Sequence, residues 1–425
     1  MYRRFKLASA LLFSVAFSFA QDQPVTIRAG TALDGKGGVL KDVLIRVQDG
    51  RIIGIDPQDG PSDYDLGGLT VMPGWIDTHV HLTWHFGFDG RFVIKDESPG
   101  QDLLFAMENA YTTLMAGFTT VQSVGDLREK DLRDMMARGS LPGPRILTSL
   151  TAVTSASMTP DEISKFVTKM ADSGADLIKI FASKSIRDGG GRTLSDEQIQ
   201  AAIGTAKAHG LRTMVHAYGD DSITACVLAG CTAVEHGSLV SDGVLRLMAE
   251  RGVYFDPNIG LVIQNYIDNK PRYLGIGNYT EAGFTQMEKA IPVNLDMFKR
   301  ALKIKGLKIV FGTDAVAGAH GRNVEEAIYR VQKGGQDPMA VIISMTSLAA
   351  QSLNMDTRVG TLAPGMAADI VAVAGDPLKD ITALRQTVFV MKEGMIFKNQ
   401  ANLGRSGIAG GILTPSSEDN NFRRE

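Results

Sequence analysis

Short apolar segments alternate with amphipathic ones through the middle of the chain, from about residue 71 to 355. Eight of the short segments have the length and apolar content of buried strands. They are GWIDTHV, FTTVQSV, PRILTSL, DLIKIFA, RTMVHA, TAVEH, GVYFDP and KIVFGTD. Helix-start signals, a capping Thr or Ser followed by acidic residues, occur between them at 159–162 and 195–197. Repeated strand–helix units predict an α/β fold, a (β/α)8 TIM barrel. A doubly wound open sheet is the alternative, although no Gly-x-Gly-x-x-Gly follows the first strand.

The two ends of this region have a different pattern. Residues 24–70 contain VTIRAG, VLIRVQ and RIIGID, and the later part contains ADIVAVAG and TVFVMKEGMIFKN. Asp-Gly at 49–50 and Glu-Gly at 393–394 lie between predicted strands and are expected to form hairpin turns. We therefore expect a small β-sandwich assembled from both termini, 21–70 plus 356–400, around a barrel at 71–355. A flexible tail is expected at 401–425.

The first twenty residues have the pattern of a secretory signal peptide. Arg3, Arg4 and Lys6 precede an apolar run from Leu7 to Phe19, and the run ends at Ser-Phe-Ala. No later apolar run reaches the length of a membrane span. These features predict an exported protein, periplasmic in a bacterium with two membranes, with no membrane association after removal of residues 1–20.

Charge and cysteine content restrict the possible partners. The 425 residues include 44 basic and 47 acidic side chains, a formal net charge of −3. Because there is no basic excess to neutralise phosphates, a nucleic-acid partner is not expected. Cys226 and Cys231 are separated by a predicted helix end, so they are expected to be small buried hydrophobes, with a disulfide left open.

Six residues with metal-binding or charged side chains lie at or near the ends of predicted strands. His79 and His81 are two residues apart on one strand, which directs both imidazoles to the same face. The others are each in a different strand: Lys179, His216, His236 and Asp314. Active sites of barrels of this kind lie at the carboxyl ends of the strands. The set therefore predicts a metal centre, and Lys179 is a costly residue for an apolar strand unless it is paired or neutral.

The order of these residues and the words around them resemble the amidohydrolase superfamily, in its prolidase-like and imidazolonepropionase-like branch. The resemblance includes PGWIDTHVHL, AGFTTVQSVGD, IKIFAS, AVEHGSLV, FGTDA and LAPGMAADIVAVAGDPL, and it extends from about residue 24 to 400. It implies the same barrel with a terminal β-sandwich. It also implies homo-oligomers as an expectation, and a small-molecule or dipeptide substrate.

The resemblance further implies a binuclear centre. The more buried divalent metal would be held by His79, His81 and Asp314, and the more exposed one by His216 and His236. Lys179 would be N6-carboxylated and would bridge them. Zn²⁺ suits such ligands, with Mn²⁺ or Co²⁺ as alternatives.

The implied reaction is hydrolysis of a peptide-like amide bond, in a dipeptide such as Xaa-Pro or in an N-acyl amino acid. A hydroxide shared by the two metals would attack the carbonyl, and Asp314 would pass a proton to the leaving nitrogen. Two alternatives stay open on the same scaffold. One is a mononuclear imidazolone-ring hydrolase or deaminase, which Lys179 disfavours, and the other is a lactonase or phosphotriesterase.

Several further residues are assigned as candidates. Tyr218 stands where many relatives carry a second His, and it is expected to donate a hydrogen bond to the substrate oxygen. His320 and Arg322 follow Asp314 and are candidates for binding a substrate carboxylate. His85 is expected to be a pocket or surface residue, and His209 a helix-end residue. The aromatic-rich stretch at about 260–300 is a candidate lid or pocket wall.

Overall fold

The computed structural model describes residues 23–94 and 97–401. The predicted signal peptide and the predicted tail beyond residue 401 lie outside the described residues. Within the described part, no helix is both long and apolar enough to cross a membrane.

The structure contains strands in the middle region and in both terminal regions, and helices between the strands of the middle region. The strands are β1 Val25–Leu33, β2 Val39–Gln48, β3 Arg51–Pro57, β4 Tyr64–Pro73, β5 Trp75–Val80, β6 Phe118–Ser123, β7 Arg145–Thr148, β8 Ala152–Val153, β9 Leu177–Phe181, β10 Arg212–Gly219, β11 Ala233–Leu239, β12 Tyr254–Asp256, β13 Lys308–Ile309, β14 Ile370–Val373, β15 Thr387–Lys392 and β16 Met395–Asn399. The helices are α1 Pro99–Met115, α2 Glu129–Ala137, α3 Pro160–Asp172, α4 Asp196–Ala208, α5 Asp220–Ala229, α6 Asp242–Arg251, α7 Leu261–Asp268, α8 Lys270–Tyr273, α9 Glu281–Ala301, α10 Val324–Gln332, α11 Pro338–Ser344 and α12 Ser347–Ser352.

The parallel strands of the middle region position the site. They form a three-stranded sheet, β5-β6-β7, and a six-stranded sheet, β13-β12-β11-β10-β9-β8. Two backbone bonds join β5 to the segment after β13, from Thr78 N to Phe311 O at 3.0 Å and from Asp314 N to His79 O at 2.8 Å. At the other edges, Asp176 N donates to Thr148 O at 2.8 Å. Hydrogen bonds therefore connect the two sheets on both sides.

Helices cover the outer face of these strands. Ile178 and Ile180 of β9 pack in an apolar cluster with side chains of α3 to α6, while Lys179 between them points to the opposite face. The predicted helix starts are confirmed, since Thr159 and Ser195 each form a capping box at the N-termini of α3 and α4. The alternation along β9 thus places Ile178 and Ile180 outward and Lys179 toward the interior.

The terminal strands form one seven-stranded sheet in the order β16-β15-β14-β4-β1-β2-β3. It is built from both ends of the chain, and an apolar cluster that includes Ile27, Ile45 and Phe389 lies against it. The predicted hairpin turns are confirmed, with positive φ at Asp49 (50°) and Glu393 (48°) and at the glycine after each. Strand β4, which pairs parallel with β1, was not separated in the sequence pattern.

The two cysteines have the environment expected for small apolar side chains. Both are buried and free. Gly230, between them, ends α5 with φ of 89°, as predicted for the stop of that helix.

Candidate metal centre

His79 and His81 lie at the carboxyl end of β5, and the structure brings both imidazoles to one interior face. Their Nε2 atoms lie 3.3 Å and 3.0 Å from Oδ1 of Asp314. His79 Nδ1 lies 2.9 Å from Oε2 of the buried Glu235. The Glu235 carboxyl therefore lies against the Nδ1 side of the ring, without hydrogen-bond geometry, and Nε2 faces Asp314 and Lys179. Burial lowers the pKa of His79 well below its ordinary value, so the imidazole is neutral as a ligand must be.

Lys179 reaches the same point from β9. Its Nζ lies 3.1 Å from His79 Nε2, and the side chain is 1% exposed. No carboxylate oxygen of the described residues lies within 4.0 Å of this amine, so no ion pair compensates its burial. Burial therefore lowers the pKa of Lys179 and favours the neutral amine, which is the nucleophilic form.

His216 and His236 come from the neighbouring strands β10 and β11. Their rings lie 4.6 Å apart, and the ring of His236 lies 5.6 Å from that of His79. Burial lowers the pKa of both well below the ordinary value, which keeps them neutral. Tyr218, two residues after His216, stacks on His236 at 5.1 Å, and burial raises the pKa of its hydroxyl. The phenol therefore stays protonated and able to donate.

Two of the six side chains depend on unusual backbone conformations. His236 and Asp314 have φ of 70° and 53°, in the left-handed region that non-glycine residues rarely adopt. Such residues are held in place by their surroundings and concentrate at functional sites. Here Asp314 N donates to His79 O, which ties the Asp314 carboxylate to the strand that carries His79 and His81.

A buried ion network contacts the segments that carry the metal-binding residues. We use this term for Asp256, Glu326 and Arg330, all fully buried. Arg330 donates to Glu326 at 2.8 Å and to Asp256 at 3.2 Å, and Asp256 accepts from Thr78 Oγ1 and Gly312 N, each at 3.0 Å. The network fixes the segments that hold His79 and Asp314.

Asp77 supports the same strand from another direction. It accepts bonds from Thr313 Oγ1 and Asn323 Nδ2, both at 2.7 Å, and from His79 N at 3.1 Å. Burial raises its pKa to about 7. Sequence reasoning missed Asp77, Glu235 and the ion network. A carboxylate within an otherwise apolar strand sequence, as in WIDTHV and AVEH, was the signal that could have indicated Asp77 and Glu235.

The six residues fit a divalent metal centre. His79, His81 and Asp314 offer ligand atoms that all lie within 4.8 Å of one another, and His216 Nε2 is buried without a hydrogen-bond partner among the described residues. Buried polar atoms are otherwise nearly always paired, and neutral imidazoles with a carboxylate are the ligand types that Zn²⁺ prefers. We call these residues the metal cluster: His79, His81, Lys179, His216, His236 and Asp314.

The metal cluster lies at the floor of a cavity of about 380 Å³. Its walls include Trp84, Phe181, Tyr218 and Tyr266, and one arginine, Arg187. Tyr266 belongs to α7, so the aromatic stretch predicted as a pocket wall does contribute to the lining. Aromatic rings therefore share the walls with polar side chains such as Ser183, Asp188 and Asn278.

Other predicted residues lie elsewhere. Burial lowers the pKa of His320 to about 3, so its ring carries no charge at neutral pH, and it is not among the residues that line the cavity. Arg322 is exposed and donates to Gly318 O at 3.5 Å, within its own loop. The structure does not bring these two residues to the cavity, and their role as carboxylate ligands stays a prediction. The arginine that does line the cavity is Arg187, which the sequence pattern did not indicate.

The remaining two histidines have structural partners. His85 contacts Thr83 O at 2.8 Å and Glu97 Oε2 at 2.7 Å, and it stacks on Phe105. His209 lies at the end of α4, as predicted, and contacts Thr168 Oγ1 at 3.2 Å.

Similarity to known proteins agrees with this geometry. Residues 70–397 match the model of the amidohydrolase family, and the chain belongs to that family. A solved Xaa-Pro dipeptidase with methionine bound in its active site is 29% identical, with a TM-score of 0.80, over 89% of this chain and 100% of that one. The ochratoxinase of Aspergillus niger is 24% identical over 88% of this chain and 86% of its own length. The imidazolonepropionase of Sphingopyxis alaskensis is 23% identical over 80% and 88%.

The family and the site together define the class of protein. The chain is a hydrolase that acts on C–N bonds, in the prolidase-like and imidazolonepropionase-like branch. Members of this family typically use a divalent metal, and the histidine and aspartate groups described above are able to bind one.

Proposed function

We propose that the protein is an exported, metal-dependent hydrolase of a peptide-like amide bond, in a dipeptide such as Xaa-Pro or in an N-acyl amino acid. The observation that carries the proposal is the convergence of all six metal-cluster residues on one cavity that also has aromatic rings in its walls. The similarity to an Xaa-Pro dipeptidase supports the choice of bond.

In this proposal His79, His81 and Asp314 would hold one divalent metal, and His216 and His236 would hold the other. The neutral Nζ of Lys179 would bond to the carbon of CO₂ and release a proton, and the resulting carbamate would be a ligand common to both metals. Bound metals, which we propose to be Zn²⁺, supply Lewis acidity that polarises the scissile carbonyl and lowers the pKa of water.

The chain itself supplies proton transfer and positioning. Asp314 is 15% exposed and faces the cavity, where its carboxylate takes a proton from the attacking water and gives it to the leaving nitrogen. An amine leaves only when it is protonated, so this transfer is essential for an amide. Tyr218, held against His236, donates its hydroxyl proton in a hydrogen bond to the substrate oxygen.

We also propose a finer architecture. The bonds that join the two parallel sheets at both edges support a closed (β/α)8 barrel over residues 71–355. An antiparallel bridge between Arg51 and Ala367 brings the free edge of β3 to the segment before β14. This curling supports a β-sandwich domain made of residues 21–70 and 356–400.

Export rests on the charge and apolar pattern of residues 1–20. Expression of the full chain in a bacterium with two membranes is expected to place the protein in the periplasmic fraction. Deletion of residues 2–20 is expected to leave it in the cytoplasm. Equal distribution of both forms would contradict export. The molar mass of the purified protein in solution, measured by light scattering, would test the proposed homo-oligomer.

Metal content tests the binuclear centre. We expect two metals per chain, and we expect Lys179→Ala to lower this number to one or none and to abolish activity, because the shared ligand is lost. Lys165→Ala, which removes an exposed lysine paired with Asp161, is the matched control and should change neither value. A wild-type chain with one metal or none, together with an active Lys179→Ala variant, would overturn the proposal.

A substrate panel separates the remaining reactions. The metal-loaded protein should cleave dipeptides or N-acyl amino acids in preference to a lactone, a phosphotriester and an imidazolone. Preference for the lactone or triester would assign the same centre to a different bond, and preference for the imidazolone would support the mononuclear alternative.

A further inference from the structure

Arg187 lies in a short 3-10 helix, Ile186–Asp188, within the loop that joins β9 to α4. It lines the cavity above the metal cluster, and it also lines an adjoining cavity of about 510 Å³. Among the cationic side chains of the described residues, only Arg187 and Lys184 line the first cavity away from its floor.

Contacts from two sides fix the position of Arg187. Its guanidinium lies over the ring of Tyr279 at 4.3 Å and over that of Tyr266 at 5.3 Å. Its Nε donates to Asn278 Oδ1 at 3.2 Å. Cation–π contacts and neutral hydrogen-bond partners hold the group without neutralising its charge. The guanidinium is therefore preorganised at the cavity wall.

The charge of Arg187 has no anionic partner among the described residues, since no carboxylate oxygen lies within 4.0 Å of it. Other arginines nearby differ in this respect. Arg128, in the adjoining cavity, forms ion pairs with Asp102 and Asp126, and Arg192 pairs with Asp196. A partly buried and unpaired guanidinium beside a catalytic cavity offers its free N–H groups to an anion supplied from outside.

We propose that Arg187 binds the carboxylate of the substrate and thereby sets the substrate class to dipeptides and N-acyl amino acids with a free C-terminal carboxylate. The inference rests on the proposed hydrolase function and deepens it. The guanidinium presents two parallel N–H donors to the two carboxylate oxygens, while the amide bond lies toward the metal cluster. The aromatic rings of Trp84 and Phe181 leave an apolar surface for the substrate side chain.

Lys184 is the competing cation. It lines the same cavity but is exposed, and none of its side-chain atoms forms a hydrogen bond or ion pair within the described residues. A mobile ammonium group is strongly hydrated and gives up more entropy on binding than a fixed guanidinium. Arg187 is therefore the residue that the geometry favours.

The experiment measures binding as well as turnover. The probes are N-acetyl-L-phenylalanine and its uncharged amide, N-acetyl-L-phenylalaninamide, added to the metal-loaded protein. Fluorescence reports binding because Trp84 lies in the cavity wall while the only other tryptophan, Trp75, is fully buried. We expect Arg187→Gln to weaken binding of the acid by about 10- to 100-fold and to leave binding of the amide within about twofold.

Three variants make the result specific. Arg187→Lys keeps the charge without the fork and should recover part of the acid preference. Arg192→Gln removes a paired arginine from the same loop and should leave both affinities unchanged. Loss of the acid preference in Lys184→Gln instead of Arg187→Gln would overturn the proposal, and so would an equal loss for acid and amide.

Failure of the hydrolase function gives a different result. If neither probe is cleaved but the acid binds through Arg187, the carboxylate site stands and the reaction is wrong. If the acid is cleaved and binds as well without Arg187, the reaction stands and the carboxylate site is wrong. If the wild-type protein binds neither probe, the assignment of the substrate class is wrong.

Discussion

Two groups of buried polar side chains meet along β5, β11 and β12, and they differ in how their polar atoms are satisfied. In the buried ion network, Glu326 accepts bonds from Arg330 Nε and from the backbone N–H groups of residues 259–261, at 2.7 to 2.9 Å. Arg330 donates to two carboxylates and to the carbonyls of Val310 and Gly312. The charges and polar atoms of this group are compensated within the chain.

The metal cluster has the opposite property. His216 Nε2 has no partner among the described residues, and Lys179 contacts an imidazole instead of an acid. Two of its members also have left-handed backbone conformations. Buried groups of this kind lower stability unless something outside the chain pairs with them. Burial alone therefore does not distinguish the two groups, whereas the metal-ligand atoms left open to the cavity do.

Substitution in the metal cluster should impair the protein more than any other change proposed below. Asp314→Asn keeps the size of the side chain but removes the base that carries the proton. We expect kcat to fall by about 10²- to 10⁴-fold while the protein stays folded. Asp296→Asn, which removes an exposed carboxylate paired with Arg300, is the control and should leave kcat unchanged. Steady-state kinetics and thermal unfolding of both variants check this, and an active Asp314→Asn enzyme would remove the distinction between the two groups.

Substitution in the ion network should lower the stability of the folded protein. Arg330→Met leaves Asp256 and Glu326 buried without their cation, and we expect the free energy of unfolding to fall by about 3–5 kcal/mol. Arg300→Met removes a half-exposed arginine paired with Asp242 and should cost less than about 1 kcal/mol. Urea unfolding measures both. Equal losses in the two variants would show that the buried network is no more important for folding than a surface pair.

Much of the site could be predicted because strands impose a period of two. The spacing of His79 and His81, and the position of Lys179 between Ile178 and Ile180, fix the face on which each side chain lies. Turn chemistry likewise indicated the hairpins at Asp49 and Glu393. These features depend on local sequence, which the chain displays directly.

Features that depend on distant partners could not be predicted. The segment KIVFGTD was expected to be a strand through residue 314, but β13 ends at Ile309. Beyond it, Gly312 N and Thr313 N donate to Asp256 and Asp77 instead of to a neighbouring strand. Arg187 lies in a loop without periodicity, so only its surroundings identify it. Arg330 and Glu326 are spaced as a solvent-exposed helix pair would be, although both are buried.

Glu235 lies between the metal cluster and the buried ion network, and its substitution shows which of the two it serves. It contacts His79 Nδ1, and its carboxyl lies within 4.8 Å of both His79 and Asp256. We expect Glu235→Ala to lower metal affinity by about 10- to 100-fold, because the His79 ring loses the carboxyl group that lies 2.9 Å from its Nδ1. Glu235→Gln keeps a polar side chain of the same size beside the ring and should retain most of the affinity. Competition with a chelator measures both, and unchanged affinity in the Ala variant would place Glu235 with the ion network alone.

Glu129 is a third case, a buried carboxyl that has hydrogen-bond partners but forms no ion pair with a cation among the described residues. It accepts bonds from Ser123 Oγ and Thr148 Oγ1, and burial raises its pKa from an ordinary 4.5 to about 8. Between these values the folded chain holds a proton that the unfolded chain has released. Glu129 should therefore make the free energy of unfolding fall as pH rises from about 5 to 8, by at most about 1.4 kcal/mol per pH unit.

Glu129→Gln removes this proton uptake and keeps the size of the side chain. Compared with the wild type, the variant should lose less stability between pH 5 and 8, and urea unfolding at several pH values measures the difference. Other buried groups titrate equally in both proteins, so they cancel in the comparison. Parallel stability curves would mean that the Glu129 carboxyl is ionised when buried. Two hydroxyl donors would then stabilise a buried charge much as Arg330 does, and compensation in this fold would not require a cation.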